Sequence, residues 1–129
     1  MIVGIGIDLI EVDRVTEKIN KDHGFKEKIF SSNEINFCES KVNRGENYAA
    51  RFAAKEAFLK ATGQGLGLGY NLSDIEVATD EHGKPLLVLR GTFGQIASER
   101  KWTKIHVSLS HLKSVACAVV IIEGEEIRR

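Results

Sequence analysis

The run of residues 115–122 constrains the fold most, because every position in it is apolar. Alternate residues of a strand point to opposite faces, so a strand with this sequence has two apolar faces. Such a strand must lie in the centre of a sheet or be covered on both sides. In a chain of 129 residues, this requires helices layered on the sheet or burial of the strand in an oligomer.

The first ten residues alternate in a different way. The apolar residues of one face are Val3, Ile5, Ile7 and Leu9, and the opposite face carries Gly4, Gly6 and Asp8. Asp8 is therefore the only sizeable group on a nearly bare strand face. A carboxylate on an inward face has to be paired, hydrogen-bonded or bound to a cation.

Apolar spacing and breaker residues predict the other elements. A first helix is expected at about 11–21, closed by His23-Gly24, and a second begins after a Ser31-Ser32-Asn33-Glu34 capping box. A third is expected at 48–62, capped by Asn47 and ended by Gly63, and a fourth at 92–101. Strands are expected at 75–79, 86–90, 104–110 and 114–123, with a glycine-rich loop at 63–69 and a turn at 80–85. The pattern indicates one α+β domain over residues 1–129, with a mainly antiparallel sheet packed with helices.

Composition excludes several classes of protein. Eighteen basic and eighteen acidic residues balance, so no overall field favours nucleic acid or an anionic membrane surface. No apolar run is long enough to span a bilayer, and no signal sequence precedes the first strand pattern. Two cysteines in apolar settings are typical of reduced thiols. We therefore expect a soluble cytoplasmic protein.

Glu56 is the second acidic residue at an unexpected position. It lies four residues after Phe52 and three after Ala53 on an alanine-rich helical stripe, and Lys60 follows four residues later. Two carboxylates from separate elements, with few other ligands nearby, suit Mg²⁺, which binds one or two carboxylates together with substrate phosphates. Zinc is improbable, since the histidines and cysteines show no ligand spacing. Asp8, Glu56 and Lys60 thus indicate a metal site that holds a phosphorylated ligand.

Simpler interpretations remain open for each of these features. Asp8 could cap the helix that begins near Glu11, and Glu56 could pair with Lys60. The 63–69 loop lacks the Gly-Lys-Ser/Thr of a phosphate-binding loop, and Gly4-x-Gly6 lacks the third glycine of a dinucleotide fingerprint. Three further groups are candidates for binding. Ser108, Ser110 and His111 could bind a phosphate, and the 63–69 backbone could surround a ligand. The basic stripe of Arg14, Lys18 and Lys21 could dock an acidic partner, and each of the three groups could also be ordinary surface or turn.

With these residues assembled, the chain resembles the holo-[acyl-carrier-protein] synthases, the small single-domain type of 4′-phosphopantetheinyl transferase. The segments that carry the resemblance are 4–14 (Gly-Ile-Gly-Ile-Asp-Leu-Ile-Glu-Val-Asp-Arg), 51–63 (Arg-Phe-Ala-Ala-Lys-Glu-Ala-Phe-Leu-Lys-Ala-Thr-Gly) and 107–111 (Val-Ser-Leu-Ser-His), with 75–77 and 83–85 between them. Ser31 and Ala50 depart from the residues that are common in this family. Both departures lie away from the proposed metal ligands.

The resemblance implies transfer of the 4′-phosphopantetheine arm from coenzyme A to a serine of apo-acyl carrier protein, giving adenosine 3′,5′-bisphosphate, in support of fatty acid biosynthesis. It implies Mg²⁺ on Asp8 and Glu56, with Lys60 against a phosphate oxygen. The serine proton could pass to Glu56, to a metal-bound water or to His111. Candidates for holding coenzyme A are Arg51, Lys55, Gly63, Gly65, Ser108, Ser110 and His111.

The resemblance also implies contacts with other proteins. Because acyl carrier proteins of this kind are acidic, the stripe of Arg14, Lys18 and Lys21 is the expected docking site. A homotrimer with active sites between subunits is implied as well, and it would account for the doubly apolar last strand and the bare face of the first strand. Two rival hypotheses are a non-catalytic module that binds magnesium and a nucleotide, and a structural subunit whose acidic residues pair with Lys55 and Lys60.

Overall fold

The computed structural model describes residues 1–21, 23–63 and 70–125. Its strands are β1 (Ile2–Glu11), β2 (Ile75–Thr79), β3 (Pro85–Leu89), β4 (Trp102–His111) and β5 (Val115–Gly124). Its α-helices are α1 (Val12–Asn20), α2 (Phe25–Ile29), α3 (Ser32–Glu39), α4 (Arg44–Thr62) and α5 (Gly91–Glu99), and a 3₁₀ turn spans Leu72–Asp74. The prediction of an α+β fold with antiparallel sheets is confirmed.

Strand β5 lies at the centre of a three-stranded antiparallel sheet with the order β1-β5-β4. A separate antiparallel pair is formed by β2 and β3. The central position of β5 in this sheet agrees with the prediction made from its two apolar faces.

Helix α4 covers one face of the three-stranded sheet. The β5 side chains that point toward it, Ala116, Ala118, Val120 and Ile122, are all buried. Phe58 of α4 continues this core by packing edge-on against Phe93 and Trp102. Burial of this apolar face contributes most of the driving force that holds α4 on the sheet.

The opposite face of the same sheet is open in the single chain. Ile5, Ile7 and Leu9 of β1 are 61%, 60% and 69% exposed, although they are apolar. The expectation that the glycine face of β1 lacks a cover was wrong, because α4 of the same chain covers it. The uncovered face is the aliphatic one.

Several helix boundaries differ from the sequence prediction. Helix α4 begins at Arg44 with Asn43 as its N-cap residue, while Asn47, the predicted cap, donates its side-chain amide to the Asn43 carbonyl oxygen. Gly24 does not end α1; it adopts φ 83° immediately before α2, a short helix that the apolar spacing did not reveal. Short helices of this kind depend on tertiary packing more than on local sequence.

Two predicted helix signals are confirmed. Ser31 and Glu34 form a capping box, with the Ser31 hydroxyl accepting from the Glu34 amide and the Glu34 carboxylate accepting from the Ser31 amide. Gly63 ends α4 in the left-handed conformation at φ 71°. The remainder of the predicted 63–69 loop, including Gly65, lies outside the described residues.

No helix in the described part of the chain is long and apolar enough to cross a bilayer. Both cysteines are free thiols, as their settings predicted.

Candidate active site

Two glycines bring α4 unusually close to β1. A Cβ atom on Gly4 would collide with the carbonyl oxygen of Ala61, and one on Gly6 would collide with that of Ala57. Both obstacles are backbone atoms, so no side chain can move aside to make room. The bare strand face is therefore the contact surface for the helix, and Asp8 continues that face beyond the glycines.

Asp8 is paired with a lysine from α4. Its Oδ1 atom lies 3.0 Å from Lys60 Nζ, and the same ammonium donates to the Ile7 carbonyl oxygen at 3.1 Å. The Asp8 side chain is 15% exposed and that of Lys60 is 57% exposed. Asp8 does not cap α1, since the N-cap position of that helix belongs to Glu11.

Glu56 faces the same region but has no cation of its own. Within residues 1–21, 23–63 and 70–125, its carboxylate makes no hydrogen bond or ion pair, so the predicted alternative pairing with Lys60 is absent. Burial and then the negative charge of Asp8 raise the pKa of Glu56, while Lys60 lowers it. An acidic side chain that is half-buried and unpaired is a candidate for binding a cation.

The two carboxylates line one cavity of about 400 Å³, which we call the first cavity. Its lining residues are Asp8, Leu9, Ile10, Glu11, Arg14, Phe52, Glu56 and Val115. Neither Phe52 nor Glu11 was among the site residues predicted from the sequence. Phe52 lies one turn before Glu56 on α4, which is the spacing that places both on one wall.

The donors in the first cavity fit magnesium. Two carboxylates are the number that Mg²⁺ takes from protein when waters and substrate phosphates complete its shell. A cation between them would also relieve the repulsion by Asp8 that raises the pKa of Glu56. The described residues contain no group of three or more histidine, cysteine or acidic side chains that could hold a metal ion by themselves, so water and substrate phosphates would have to complete the coordination of the ion.

A second cavity of about 220 Å³ lies elsewhere on the chain and shares no lining residue with the first. Its lining residues are Phe37, Asn47, Ala50, Arg51, Thr79, Gly83, Pro85, Leu109 and His111. The Arg51 guanidinium carbon lies 4.0 Å from the centre of the Phe37 ring, and Arg51 Nε has no hydrogen-bond partner in the described structure. A buried arginine with an unused donor is suited to an anionic ligand.

His111 and the two serines do not face the same way. Ser108 and Ser110 pair with Val119 and Cys117 on the open face of the sheet. His111 points to the α4 side, where its Nδ1 atom lies 2.8 Å from Glu46 Oε1. The structure therefore separates the predicted phosphate-binding group into two parts, because alternate strand residues lie on opposite faces.

Lys55 is completely buried, which contradicts the prediction that it holds coenzyme A. Its ammonium donates to Glu34 Oε1 at 2.8 Å and to the carbonyl oxygens of Leu72 and Ile75 at 3.0 and 2.5 Å. All three of its protons therefore have protein acceptors. Sequence alone did not identify this Glu34–Lys55 pair, because its members are far apart in the chain.

The basic residues of α1 lie on its outer side. Val12, Val15 and Ile19 of the same helix are buried, while Arg14 and Lys21 are 74% and 60% exposed at their side chains. Arg14 also lines the first cavity. The predicted stripe is thus exposed and adjoins the site, although Arg14 and Lys21 each have an acidic neighbour on the same surface.

Comparison with known proteins gives the family. Residues 4–120 match the model of the 4′-phosphopantetheinyl transferase superfamily. The chain belongs to this superfamily. The holo-[acyl-carrier-protein] synthase of Syntrophus aciditrophicus (strain SB) is 49% identical to it over 125 residues, which are 96% of this chain and 98% of that protein.

Solved structures of this superfamily share the fold. A holo-(acyl-carrier-protein) synthase from Bacillus anthracis str. Ames, in complex with CoA (3′,5′-ADP), is 39% identical with a TM-score of 0.79, covering 97% of this chain and 99% of that one. The Chronobacterium ammoniagenes ACPS-CoA complex is 27% identical with a TM-score of 0.84, covering 95% and 98%. The resemblance inferred from the sequence motifs is confirmed, and the chain is an enzyme of the holo-[acyl-carrier-protein] synthase type.

Proposed function

We propose that this protein transfers the 4′-phosphopantetheine arm of coenzyme A to a serine of apo-acyl carrier protein, with Mg²⁺ between Asp8 and Glu56. The observation that carries the proposal is the convergence of these two carboxylates on one cavity, where Glu56 has no cationic partner among the described residues. The family relationship supports the substrates.

In the proposed reaction, the serine oxygen forms a bond to the phosphorus that carries the pantetheine arm. The bond from that phosphorus to the bridging oxygen breaks, and adenosine 3′,5′-bisphosphate leaves with the electron pair. When bound, Mg²⁺ neutralises pyrophosphate charge and orients its oxygens. Most of the catalysis in such a transfer is positioning and charge stabilisation, which a small set of side chains can supply.

The chain's own residues have separate tasks in this proposal. Asp8 and Glu56 hold the metal, and Lys60, whose ammonium already bridges Asp8 and the β1 backbone, lies where it can donate to a phosphate oxygen. Of the two side chains considered as bases, Glu56 lines the first cavity and His111 lines the second. This arrangement favours Glu56 as the acceptor of the serine proton.

We further propose that the second cavity binds the adenosine bisphosphate part of coenzyme A. Arg51, with its unused Nε donor, and His111 supply positive and hydrogen-bonding groups there. In this proposal, one coenzyme A contacts the first cavity of one subunit and the second cavity of a neighbour, and the lack of a common lining residue is compatible with such a division. A homotrimer built through the open sheet face would supply this neighbour.

The family relationship also supports a cytoplasmic enzyme that serves fatty acid biosynthesis.

The direct test is to incubate the protein with coenzyme A, Mg²⁺ and an apo-acyl carrier protein, and then to weigh the carrier by mass spectrometry. We expect the carrier to gain the mass of one phosphopantetheine group, and to gain nothing when a chelator removes the metal. Thermal stabilisation by coenzyme A and Mg²⁺ without any gain in mass would instead identify a non-catalytic binder.

Docking of the carrier is tested by charge reversal on α1. The combined substitution R14E/K18E should raise the carrier's KM about tenfold at low salt and less at high salt, since the exposed charges are screened. K101E, at an exposed residue outside both cavities, is the matched control and should leave KM unchanged. A rise in the KM for coenzyme A alone would show that the stripe does not dock the carrier.

A further inference from the structure

The buried ammonium of Lys55 joins three separate parts of the chain. It starts from α4, meets Glu34 of α3, and reaches the carbonyl oxygens of Leu72 and Ile75 at the entry to β2. Lys55 and Glu34 are 0% and 1% exposed. Every contact of this ammonium is directional, so its position is fixed from three sides.

Glu34 is equally well bound. Its Oε2 atom accepts from the Val77 amide at 2.9 Å, and its Oε1 atom accepts from the Ser31 amide at 2.9 Å in addition to Lys55. The carboxylate therefore connects the start of α3 to β2 and both to α4. None of these partners touches the first cavity.

Stability alone does not explain such a pair. Desolvation of two charges offsets much of their attraction, and well-packed apolar residues of similar volume are often as stable or more so. What the pair adds is geometry. Successive residues of an α-helix point about 100° apart, so fixing Lys55 toward β2 also fixes the direction of Glu56, the next residue.

On its β1 side, α4 has a more exposed polar anchor, because Lys60 donates to the Ile7 carbonyl oxygen and to Asp8 and its side chain is 57% exposed. There the helix rests on Gly4 and Gly6, which set how closely it approaches β1. The glycine contact sets this distance and does not itself hold a side chain in one direction. Among the ion pairs that α4 makes in the described residues, Lys55–Glu34 is the one with both side chains fully buried, so it is the most enclosed polar constraint on the rotation of the helix.

We propose that Glu34 and Lys55 are positioning residues that fix the rotation of α4 and thereby hold Glu56 facing Asp8 across the first cavity. The inference rests on the proposed metal site. Neither residue touches the ligand, and their effect reaches the site through the helix backbone.

The test measures metal binding directly, with Mn²⁺ as a paramagnetic substitute for Mg²⁺ followed by electron paramagnetic resonance. The E34Q/K55M double variant removes both buried charges together. We expect its Mn²⁺ affinity to fall about tenfold, in the range seen when supporting residues around a metal site are replaced. Turnover at saturating carrier should fall with it, while the KM for the carrier stays unchanged.

Two controls separate positioning from general weakening. F93L alters a fully buried residue of α5 that packs on Phe58, and it should lower the melting temperature without weakening Mn²⁺ binding. Should E34Q/K55M fail to fold, the K55M single variant, in which Glu34 keeps the Ser31 and Val77 amides as donors, is measured in the same way and should show the same weakened binding.

The inference would be overturned if folded E34Q/K55M bound Mn²⁺ as tightly as the wild type. It would also be overturned if F93L lost as much Mn²⁺ affinity as E34Q/K55M. D8A should lose Mn²⁺ binding. If D8A binds as wild type does, the metal assignment falls and this inference falls with it. Loss of binding in D8A with normal binding in E34Q/K55M would overturn the positioning role alone.

Discussion

Glu34, Asp8 and Glu56 are each buried or half-buried, and they differ in what surrounds their carboxylates. Glu34 is satisfied by an ammonium and two backbone amides, and Asp8 has one lysine. Glu56 has no such partner in the described residues, and burial raises its pKa. The same chemical group is thus structural at one position and available for a ligand at another, and the difference lies in the neighbours.

Removal of either proposed metal ligand should abolish transfer while leaving the fold intact. We expect D8A and E56A each to lower kcat about 1,000-fold, which corresponds to roughly 4 kcal/mol of lost transition-state stabilisation. Circular dichroism should remain that of the wild type. E81A, at an exposed acidic residue of the β2–β3 turn, is the control and should keep full activity. Unimpaired turnover in D8A or E56A would refute the metal assignment.

The link between Tyr48 and Glu39 should make stability depend on pH. The buried Tyr48 hydroxyl donates to Glu39 Oε2 at 2.7 Å, and this bond is the largest cause of the lowered pKa of Glu39, followed by Arg44. A carboxylate whose folded pKa is lowered stabilises the protein above its ordinary pKa of 4.5, and the contribution is lost as the pH falls through the folded pKa.

We therefore expect Y48F to lower the free energy of unfolding at pH 7 by ~1 kcal/mol, a modest value because Glu39 is partly exposed. The difference from wild type should shrink below pH 4.5. Urea unfolding at pH 7 and at pH 3 measures it. Y70F, at an aromatic residue that packs on Phe93, is the control and should show no such pH dependence. An equal loss at both pH values would contradict the assignment.

At the scale of elements, α4 organises the molecule. It packs on β1 through glycines, carries Glu56 to the first cavity, Lys60 to Asp8 and Arg51 to the second cavity, and buries Lys55 against α3 and β2. A change in its distance from β1 should therefore alter stability and activity together.

G6A tests this coupling. The added Cβ would meet the Ala57 backbone, so α4 has to move, at a cost of about 2 kcal/mol in stability. A shift of ~1 Å between Glu56 and Asp8 should lower kcat about 100-fold. Thermal unfolding and steady-state kinetics measure the two effects. G94A, in α5, is the matched control: its Cβ would lie 3.2 Å from the Leu89 carbonyl oxygen, a milder contact outside both cavities, so it should cost less stability and leave kcat unchanged. Normal kcat in G6A would show that the site tolerates a displaced helix.

The sequence predicted the features that depend on residues close together in the chain. Alternation located the strands, and the Ser31–Glu34 capping box and Gly63 marked helix ends. The four-residue spacing placed Glu56 and Lys60 on one side of α4. Long-range partners were beyond such arguments. Lys55 was assigned to a ligand because nothing near it in sequence indicates that Glu34, Leu72 and Ile75 would enclose its ammonium.

At the scale of the whole molecule, two features of the described chain are compatible with the proposed assembly. One sheet face exposes the aliphatic side chains of β1, and the two cavities that would share coenzyme A have no residue in common. An assembly through the open face would bury the aliphatic residues, and the proposed division of coenzyme A requires that it also bring the first cavity of one subunit to the second cavity of another.

Subunit complementation tests this shared site. D8A disables the first cavity, and R51M removes the guanidinium of the second while keeping an apolar side chain beside Phe37. Each variant alone should be inactive. In co-expressed mixtures, a site is intact only where the first cavity comes from an R51M chain and the second cavity comes from a D8A chain. If the two chains assemble at random into trimers, about a quarter of the sites meet this condition, so about a quarter of wild-type activity should return. H111A replaces R51M if the latter does not fold. I5K, which puts a charge on the open face, should give folded monomers in sedimentation and should abolish the recovery. If the mixtures are inactive although they form stable trimers like those of the wild type, each chain builds its whole site alone.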